Sequence, residues 1–231
     1  MINEALEKIK LAFFPKRCEI CGSVICLDGV RCEDCESLQH IEEPLCLKCG
    51  CSKDNCVCKE QSRETEYKAV IAPFYYGGSV ANGILNLKMN EMPKLARAHG
   101  REIANAVKKY YGDLSFVFVT FIPMYKSDEA ARGFNQARLL AEIVSEECSI
   151  PLRDVLIKKH KTKMQKRQAA TDRFINMYGV FELKENENVN EANVLLIDDV
   201  KTTGSTLTSV ALTLKAYGAK SVYCAVTAIV K

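Results

Sequence analysis

A run of acidic, hydroxyl and glycine residues near position 200 has the chemistry of a sugar-phosphate site. The apolar stretch from Val194 to Ile197 is followed directly by Asp198 and Asp199, and then by a short loop that opens an apolar-faced helix pattern. Backbone amides and the partial positive charge at a helix start bind phosphate well. Carboxylates just before such a loop can accept hydrogen bonds from neighbouring ribose hydroxyls. The pattern therefore predicts a ribose 5-phosphate site, with Gly204 shaping the loop and donors from Thr202, Thr203, Ser205 and Thr206.

The same residues exclude two common nucleotide-binding loops. No Gly-x-x-x-x-Gly-Lys precedes the hydroxyls, and the sequence contains no Gly-x-Gly-x-x-Gly. The alternative without a ligand is a buried strand that ends in a capped turn.

Ten of the twelve cysteines lie between residues 18 and 58, which indicates a metal-binding end. No apolar run approaches the roughly 20 residues of a membrane helix and no secretion signal is recognisable, so the chain is expected to be cytoplasmic. In a reducing compartment, Cys-x-x-Cys pairs are more often zinc ligands than disulfides. Two such pairs predict a first zinc site formed by Cys18, Cys21, Cys32 and Cys35.

A second set of cysteines predicts a second zinc site. Its ligands are Cys46, Cys49, Cys56 and Cys58, although Cys51 lies close enough in sequence to replace one of them. His40 lies between the two sets, where a solvated loop histidine is favoured over a ligand because four sulfurs complete each shell. Since four protein ligands leave no position for a reacting water, both sites are expected to be structural.

The cysteine-rich end is acidic, which argues against contact with nucleic acid there. Residues 1–60 carry eight Lys or Arg and eleven Asp or Glu, so the net charge of +3 arises from the rest of the chain. Phosphate contacts dominate nonspecific affinity for nucleic acid, and they need positive charge. The acidic end is therefore expected to dock on the chain itself or on a protein partner.

Strands and helices are predicted to alternate after the polar segment 59–66, which divides a zinc-binding module at 1–60 from a domain at 67–231. Periodicity predicts strands at 69–76, 116–122, 154–157, 178–183, 194–197 and 221–230, and helices at 79–89, 94–110, 134–147 and 205–217. Such alternation implies an α/β fold with a parallel sheet flanked by helices. Ligands bind these sheets at the carboxyl ends of strands, which points to the loops after Ile122 and Ile197.

The residues from Asp198 to Thr206 resemble the loop with which type I phosphoribosyltransferases bind phosphoribosyl pyrophosphate (PRPP). Two further stretches narrow the resemblance: Arg-Gly-Phe-Asn-Gln at 132–136, and Thr-x-x-Gln at 162–165 followed by Arg-x-x-Asn-x-x-Gly-x-Phe at 173–181. Together with the cysteine pairs, these motifs resemble the ComF family of competence-associated proteins from Cys18 to the C-terminus. The resemblance implies a type I phosphoribosyltransferase fold behind a double zinc-ribbon-like module, and a role in DNA uptake or natural transformation.

The resemblance also implies roles for individual residues of the loop. Asp198 and Asp199 would contact the ribose as catalytic residues. Lys201 would join Thr202 to Thr206 around the 5-phosphate. If transfer occurs, Mg²⁺ would neutralise the departing pyrophosphate.

The resemblance also implies roles for residues outside the loop, and some of these residues have an alternative interpretation. Arg132, at the end of a loop that begins at Pro123, would meet the pyrophosphate, and Lys88 would reach a phosphate. A solvated surface lysine is the other interpretation of Lys88, and a helix cap is the other interpretation of Asn135 and Gln136. Where relatives often have a histidine two residues past the proline, this chain has Tyr125, which weakens an acid–base role there.

The segment 158–167 carries six Lys or Arg and no acid. It is interpreted as a solvated loop, as a loop that closes over pyrophosphate, or as a contact for a DNA backbone. No aromatic residue occurs between Phe134 and Phe174, which favours phosphate contacts over base stacking.

Three classes of function are therefore open. The first is a PRPP-binding transferase for an unidentified acceptor, with nucleobase salvage as one form. The second is a non-catalytic accessory protein that binds single-stranded DNA and uses PRPP as a signal. The third is an adaptor whose acidic zinc module docks on a competence helicase-like protein.

Overall fold

A computed structural model describes residues 15–26, 29–56, 58, 65–89, 92–159 and 179–231. Its centre is a five-stranded parallel sheet with the order β1-β7-β6-β3, in which β2 also pairs with β7. A separate two-stranded antiparallel sheet joins β4 to β5. The strands are β1 (Ala69–Ile71), β2 (Phe74–Tyr75), β3 (Phe118–Phe121), β4 (Leu156–Lys158), β5 (Phe181–Leu183), β6 (Asn193–Lys201) and β7 (Ser221–Ile229).

Helices cover both faces of the sheet, which confirms the predicted α/β fold class. They are α1 (Glu33–Glu36), α2 (Gly78–Met89), α3 (Leu95–Tyr111), α4 (Lys126–Arg132), α5 (Gln136–Cys148) and α6 (Ser205–Ala216). Along β6, Val194 and Leu196 pack in one cluster with the apolar side of α6, whereas Leu195 and Ile197 pack in another with α3 and α5. A strand buried on both faces needs a continuous apolar run, which is why residues 194–197 carry no polar side chain.

The segment after β3 differs from the predicted loop between Pro123 and Arg132, because α4 occupies most of it. The carbonyl oxygen of Tyr125 accepts hydrogen bonds from the backbone amides of Asp128 and Glu129, at 2.9 and 3.0 Å. Gly133 ends the helix in the left-handed region at φ 82°. Within α4 no residue is buried, so hydrophobic periodicity carries no signal for this helix.

Two strand predictions had the wrong extent. The predicted strand at 69–76 is divided into β1 and β2 around Ala72 and Pro73, and proline cannot donate a hydrogen bond within a sheet. The predicted strand at 194–197 continues as β6 through Lys201. Asp198 and Asp199 therefore belong to the strand itself, in which Asp198 and Val200 are in register with β7.

The cysteine-rich residues lie directly against the α/β domain. The amide of Ile41 donates to the carbonyl oxygen of Pro73 at 2.8 Å, and Arg31 donates to the carboxylate of Glu102 at 2.9 Å. Most of the predicted boundary, 59–64, and the basic segment from residue 160 lie outside the described residues. Among the residues that are described, no helix is long and apolar enough to cross a membrane.

Candidate functional site

The carboxyl ends of β3, β6 and β7 lie side by side at one edge of the sheet. The amide of Ile122, just past β3, donates to the carbonyl oxygen of Ile197 in β6 at 3.0 Å. On the other side, Asp198 is in register with Val226 and Lys201 with Ile229 of β7. The two loops singled out from the sequence therefore leave the sheet from neighbouring strands, as ligand sites of parallel sheets do.

Asp198 and Asp199 form a carboxylate pair at this edge, in which Asp199 is buried and Asp198 is partly exposed. Asp199 is 4% exposed, and its Oδ2 lies 2.6 Å from the Nζ atom of Lys88 on α2. Asp198 Oδ1 accepts a hydrogen bond from the backbone amide of Asp199 at 2.9 Å. Burial, and next the charge of Asp199, raise the pKa of Asp198 well above that of a free carboxyl group. Asp198 therefore takes up a proton more readily than a free carboxyl group does.

Lys88 lies at the carboxylate pair rather than on the open surface. Its side chain is 27% exposed and its ammonium group is paired with Asp199. From the sequence, Lys88 is interpreted either as a phosphate contact or as a solvated surface lysine. The sequence contains no indication of an ion pair with Asp199. The contact joins residues that are 111 positions apart in the sequence. It forms because Lys88 lies in the last turn of α2, beside Asp199.

The loop between β6 and α6 presents exposed hydroxyl groups, those of Thr202, Thr203, Ser205 and Thr206. Thr203 Oγ1 accepts a hydrogen bond from the backbone amide of Ser205, the first residue of α6, at 3.3 Å. Gly204 adopts φ 81°, in the region that favours glycine. A Cβ atom there would lie 3.1 Å from the Tyr67 hydroxyl and 3.2 Å from Lys201 Cε, so the loop has little room for a side chain at this position.

Lys201 itself is 7% exposed, unlike the hydroxyl residues that follow it. Its backbone is in register with Ile229, and its carbonyl oxygen accepts a hydrogen bond from the amide of Val230 at 2.9 Å. The structure thus places Lys201 beneath the loop and the hydroxyls of Thr202 to Thr206 at its surface.

Arg132 and Asn135 stand at the neighbouring edge position, after β3. Arg132 Nη1 donates to Gln136 Oε1 and also lies 3.8 Å from Met124 Sδ. Asn135 is 2% exposed; its Oδ1 accepts from the amide of Ala137 at 2.9 Å, and its Nδ2 donates to the carbonyl oxygen of Ile122 at 3.0 Å. Asn135 therefore caps α5 and ties this helix to the end of β3, which is the alternative that the sequence left open.

Both sets of four cysteines come together, and each could hold a metal ion. In each set the four Sγ atoms lie within 4.8 Å of one another: Cys18, Cys21, Cys32 and Cys35 in the first cluster, and Cys46, Cys49, Cys56 and Cys58 in the second. Pairs of sulfurs lie 3.6 Å apart in the first cluster, and 3.7 and 4.0 Å apart in the second. Tetrahedral zinc with Zn–S bonds of about 2.3 Å separates its sulfurs by about 3.8 Å. The donor set and its spacing thus fit this ion.

The two residues that competed as ligands lie elsewhere. Cys51 is 7% exposed and packs in the hydrophobic cluster on the α6 side of the sheet. His40 stacks on the ring of Phe74, with centroids 5.1 Å apart, and its Nε2 lies 3.0 Å from Glu102 Oε2. Glu102, which also accepts a hydrogen bond from Arg31, was missed by the sequence analysis because an acid in an amphipathic helix normally faces solvent.

Comparisons with known proteins agree with this geometry. The family model described as "Phosphoribosyl transferase domain" matches residues 132–229. The chain is 29% identical over 191 residues to competence protein ComFC of Bacillus subtilis, covering 82% of this chain and 68% of the relative. It is 35% identical over 103 residues to competence protein F of Haemophilus influenzae, covering 44% of this chain and 45% of the relative.

Two solved structures illustrate the similarity in fold. One is the glutamine PRPP amidotransferase from B. subtilis, with a TM-score of 0.41 and 16% identity over 57% of this chain and 26% of that chain. Another is the adenine phosphoribosyltransferase from Leishmania tarentolae, with a TM-score of 0.37 and 18% identity over 59% of this chain and 58% of that one.

Proposed function

Since this chain belongs to the ComF family, whose relatives are named as competence proteins, we propose that it binds PRPP and acts in DNA uptake. One observation carries the PRPP proposal: a pair of adjacent carboxylates, one of them buried, lies one step before a hydroxyl-rich loop that opens α6, at the carboxyl end of a central parallel strand. This arrangement offers the sugar two acceptors and the phosphate a helix start, and residues 132–229 match the phosphoribosyl transferase domain model.

In the proposed complex, the 5-phosphate lies against the exposed hydroxyls of Thr202 to Thr206 and the first amides of α6. The ribose hydroxyls bond to Asp198 and Asp199. Arg132, next along the sheet edge, contacts the pyrophosphate, because a guanidinium group can donate two hydrogen bonds side by side to phosphate oxygens. Mg²⁺ bound with PRPP would supply charge neutralisation to the pyrophosphate.

We further propose that the site supports transfer of the phosphoribosyl group to an acceptor. A nucleophilic atom of the acceptor forms a bond to the anomeric carbon, while the bond from that carbon to the pyrophosphate oxygen breaks. Pyrophosphate leaves with the electron pair, and the proton of the acceptor passes to a base. The raised pKa of Asp198 brings its basicity closer to neutral pH, which suits it to accept that proton.

We propose zinc as the metal of both cysteine clusters and a division into a metal module at 1–60 and a phosphoribosyltransferase-like domain at 67–231. Thiolate ligands without an open position favour a structural ion over a catalytic one. Single-stranded DNA and a helicase-like protein are proposed as partners on the strength of the competence relatives. Binding of a labelled single-stranded oligonucleotide at two salt concentrations tests the first; no salt-sensitive binding would remove DNA from the proposal.

PRPP binding is tested by titration calorimetry with Mg²⁺ on the wild type and on the double variant Asp198→Asn, Asp199→Asn. Hydrogen bonds to a charged group contribute about 1.5–3 kcal/mol each, so losing both carboxylates should weaken PRPP binding by about 100-fold or more. The exposed Asp113→Asn variant is the matched control and should bind as the wild type does.

A wild type that does not bind PRPP, or a double variant that binds as well as the wild type, would contradict the proposal. Release of pyrophosphate from PRPP across a panel of nucleobases, nucleotides and DNA then tests turnover separately from binding.

A further inference from the structure

The first cysteine cluster rests directly on α2 and α3. Between its ligands Cys18 and Cys21, the carbonyl oxygen of Ile20 accepts a hydrogen bond from the Nε2 atom of His99 at 2.9 Å. The same oxygen lies so close to α2 that a Cβ atom on Gly83 would come within 1.9 Å of it. The carbonyl oxygen of Cys21 accepts a hydrogen bond from Asn86 Nδ2 at 2.6 Å.

The His99 contact is buried, and the Asn86 contact is partly buried. His99 is fully buried, and its Nε2 atom donates to the Ile20 carbonyl oxygen, which can only accept a hydrogen bond. Only glycine at position 83 permits the backbone of the metal loop to approach the helix this closely. The turn that carries Cys18 and Cys21 therefore packs closely against α2.

Helix α2, which packs against this turn, also reaches the proposed PRPP site. Asn86 contacts the metal loop, and two residues later Lys88 contacts Asp199 at 2.6 Å. Residues 83 to 88 span less than two turns of one helix, so the two contacts are joined by rigid backbone. A displacement of the metal loop would therefore move the ammonium group that faces the carboxylate pair.

We propose that metal binding at the first cluster positions Lys88 against Asp199, and that PRPP affinity depends on this metal. Gly83, Asn86 and His99 are the positioning residues that transmit the dependence. The proposal rests on the proposed PRPP site and adds a regulator to it: loss of the metal, by chelation or by thiol oxidation, weakens PRPP binding at a distance.

The second cluster supplies a built-in comparison because it rests on strands. The amide of Val70 in β1 donates to the carbonyl oxygen of Leu47 at 2.8 Å, and a Cβ atom on Gly50 would lie 2.3 Å from Ile229 in β7. Ser52 bonds to the hydroxyl of Tyr75 at 3.0 Å. Metal loss at this cluster should therefore affect the sheet contacts and leave the Asn86 contact in place.

The test compares Cys21→Ser and Asn86→Ala with the control Cys49→Ser. Metal content is measured by elemental analysis, and PRPP affinity is measured by calorimetry with Mg²⁺. Hydrogen exchange measures the protection of the backbone amides of α2, and α5 serves as the internal reference. Couplings between sites usually correspond to about 5- to 150-fold, so Cys21→Ser should weaken PRPP binding at least about fivefold. Asn86→Ala keeps the metal and should weaken PRPP binding about threefold, within the range of a single hydrogen bond.

Cys21→Ser should also raise exchange in α2 while α5 stays protected, and Cys49→Ser should change neither PRPP affinity nor α2 exchange by a comparable amount. Equal effects of Cys21→Ser and Cys49→Ser, or unchanged α2 exchange after loss of the first metal, overturn the inference. If the wild type binds no PRPP, the proposed function fails, and the exchange of α2 alone then decides whether the first metal positions this helix.

Discussion

Replacing Lys88 by methionine should destabilise the protein in a pH-dependent way. The ammonium group lies 2.6 Å from Asp199 Oδ2, and the side chain of Asp199 is 6% exposed. Breaking a buried ion pair costs about 3–5 kcal/mol, and because Lys88 retains partial contact with solvent we expect a full effect of about 3 kcal/mol. In a chain of this size that corresponds to a fall in Tm of about 6–12 °C.

The direction with pH follows from the carboxylate pair. The charge of Lys88 lowers the pKa of Asp198, opposing the larger effects of burial and of Asp199, so its loss raises this pKa further. A folded state that binds a proton more tightly than the unfolded state loses stability as pH rises from the unfolded carboxyl pKa, about 4, towards the raised folded value. Both proteins keep Asp198 protonated well below pH 8, so the difference between variant and wild type should be small there and grow as pH rises through and above about 8, where wild-type Asp198 releases its proton.

Calorimetric melting of Lys88→Met at pH 6.5, 8 and 9.5 measures this effect. Lys88→Arg retains a cation and should recover most of the stability, and the exposed Lys220→Met should melt as the wild type does. Adding Asp199→Asn to Lys88→Met should also recover stability, because the uncompensated charge is removed. A loss that is equal at all three pH values, or that persists in the double variant, would refute the reasoning.

Two further variants test contacts that hold the site in place. Asn135→Ala removes both the cap of α5 and the partner of the Ile122 carbonyl, and should lower the free energy of unfolding by about 2 kcal/mol; a change below 0.5 kcal/mol in urea denaturation would contradict this. Glu102→Gln should cost about 1–2 kcal/mol at pH 7, since it weakens the contacts to Arg31 and His40. Although burial opposes it, pairing with His40 and Arg31 lowers the pKa of Glu102, so the stability that it contributes is present above the unfolded value and lost as pH falls through the lowered one. The effect of Glu102→Gln should thus vanish in acid, and a constant effect down to pH 3 would be evidence against the pairing.

The parts of the fold that sequence reasoning could predict are those with local signals. Residues 194–206 combine an apolar run, two acids and a hydroxyl loop within thirteen positions, and the structure has a strand, a loop and a helix start there. The sequence also predicts which four cysteines form each cluster, because tetrahedral coordination restricts the spacing of the ligands.

The parts that could not be predicted depend on contacts between distant segments or on helices without a buried face. The Lys88–Asp199 pair and the Asn86 contact to Cys21 each join residues more than 60 positions apart. Residues 126–132 form a helix in which no residue is buried, so there is no hydrophobic pattern to detect. Similarly, Gly83 in a helix looks unfavourable until the close approach of Ile20 is known.

The place of β7 in the sheet has a consequence for the order in which the protein folds. This strand is made of residues 221–229, yet it lies between β1 and β2 on one side and β6 on the other. During synthesis, residues 69–75 must wait for about 150 residues of chain before their partner strand emerges from the ribosome. Non-local pairing of this kind slows folding and leaves apolar strands exposed meanwhile. The cysteine loops close over short distances, so they are the segments that can bind metal and become ordered first.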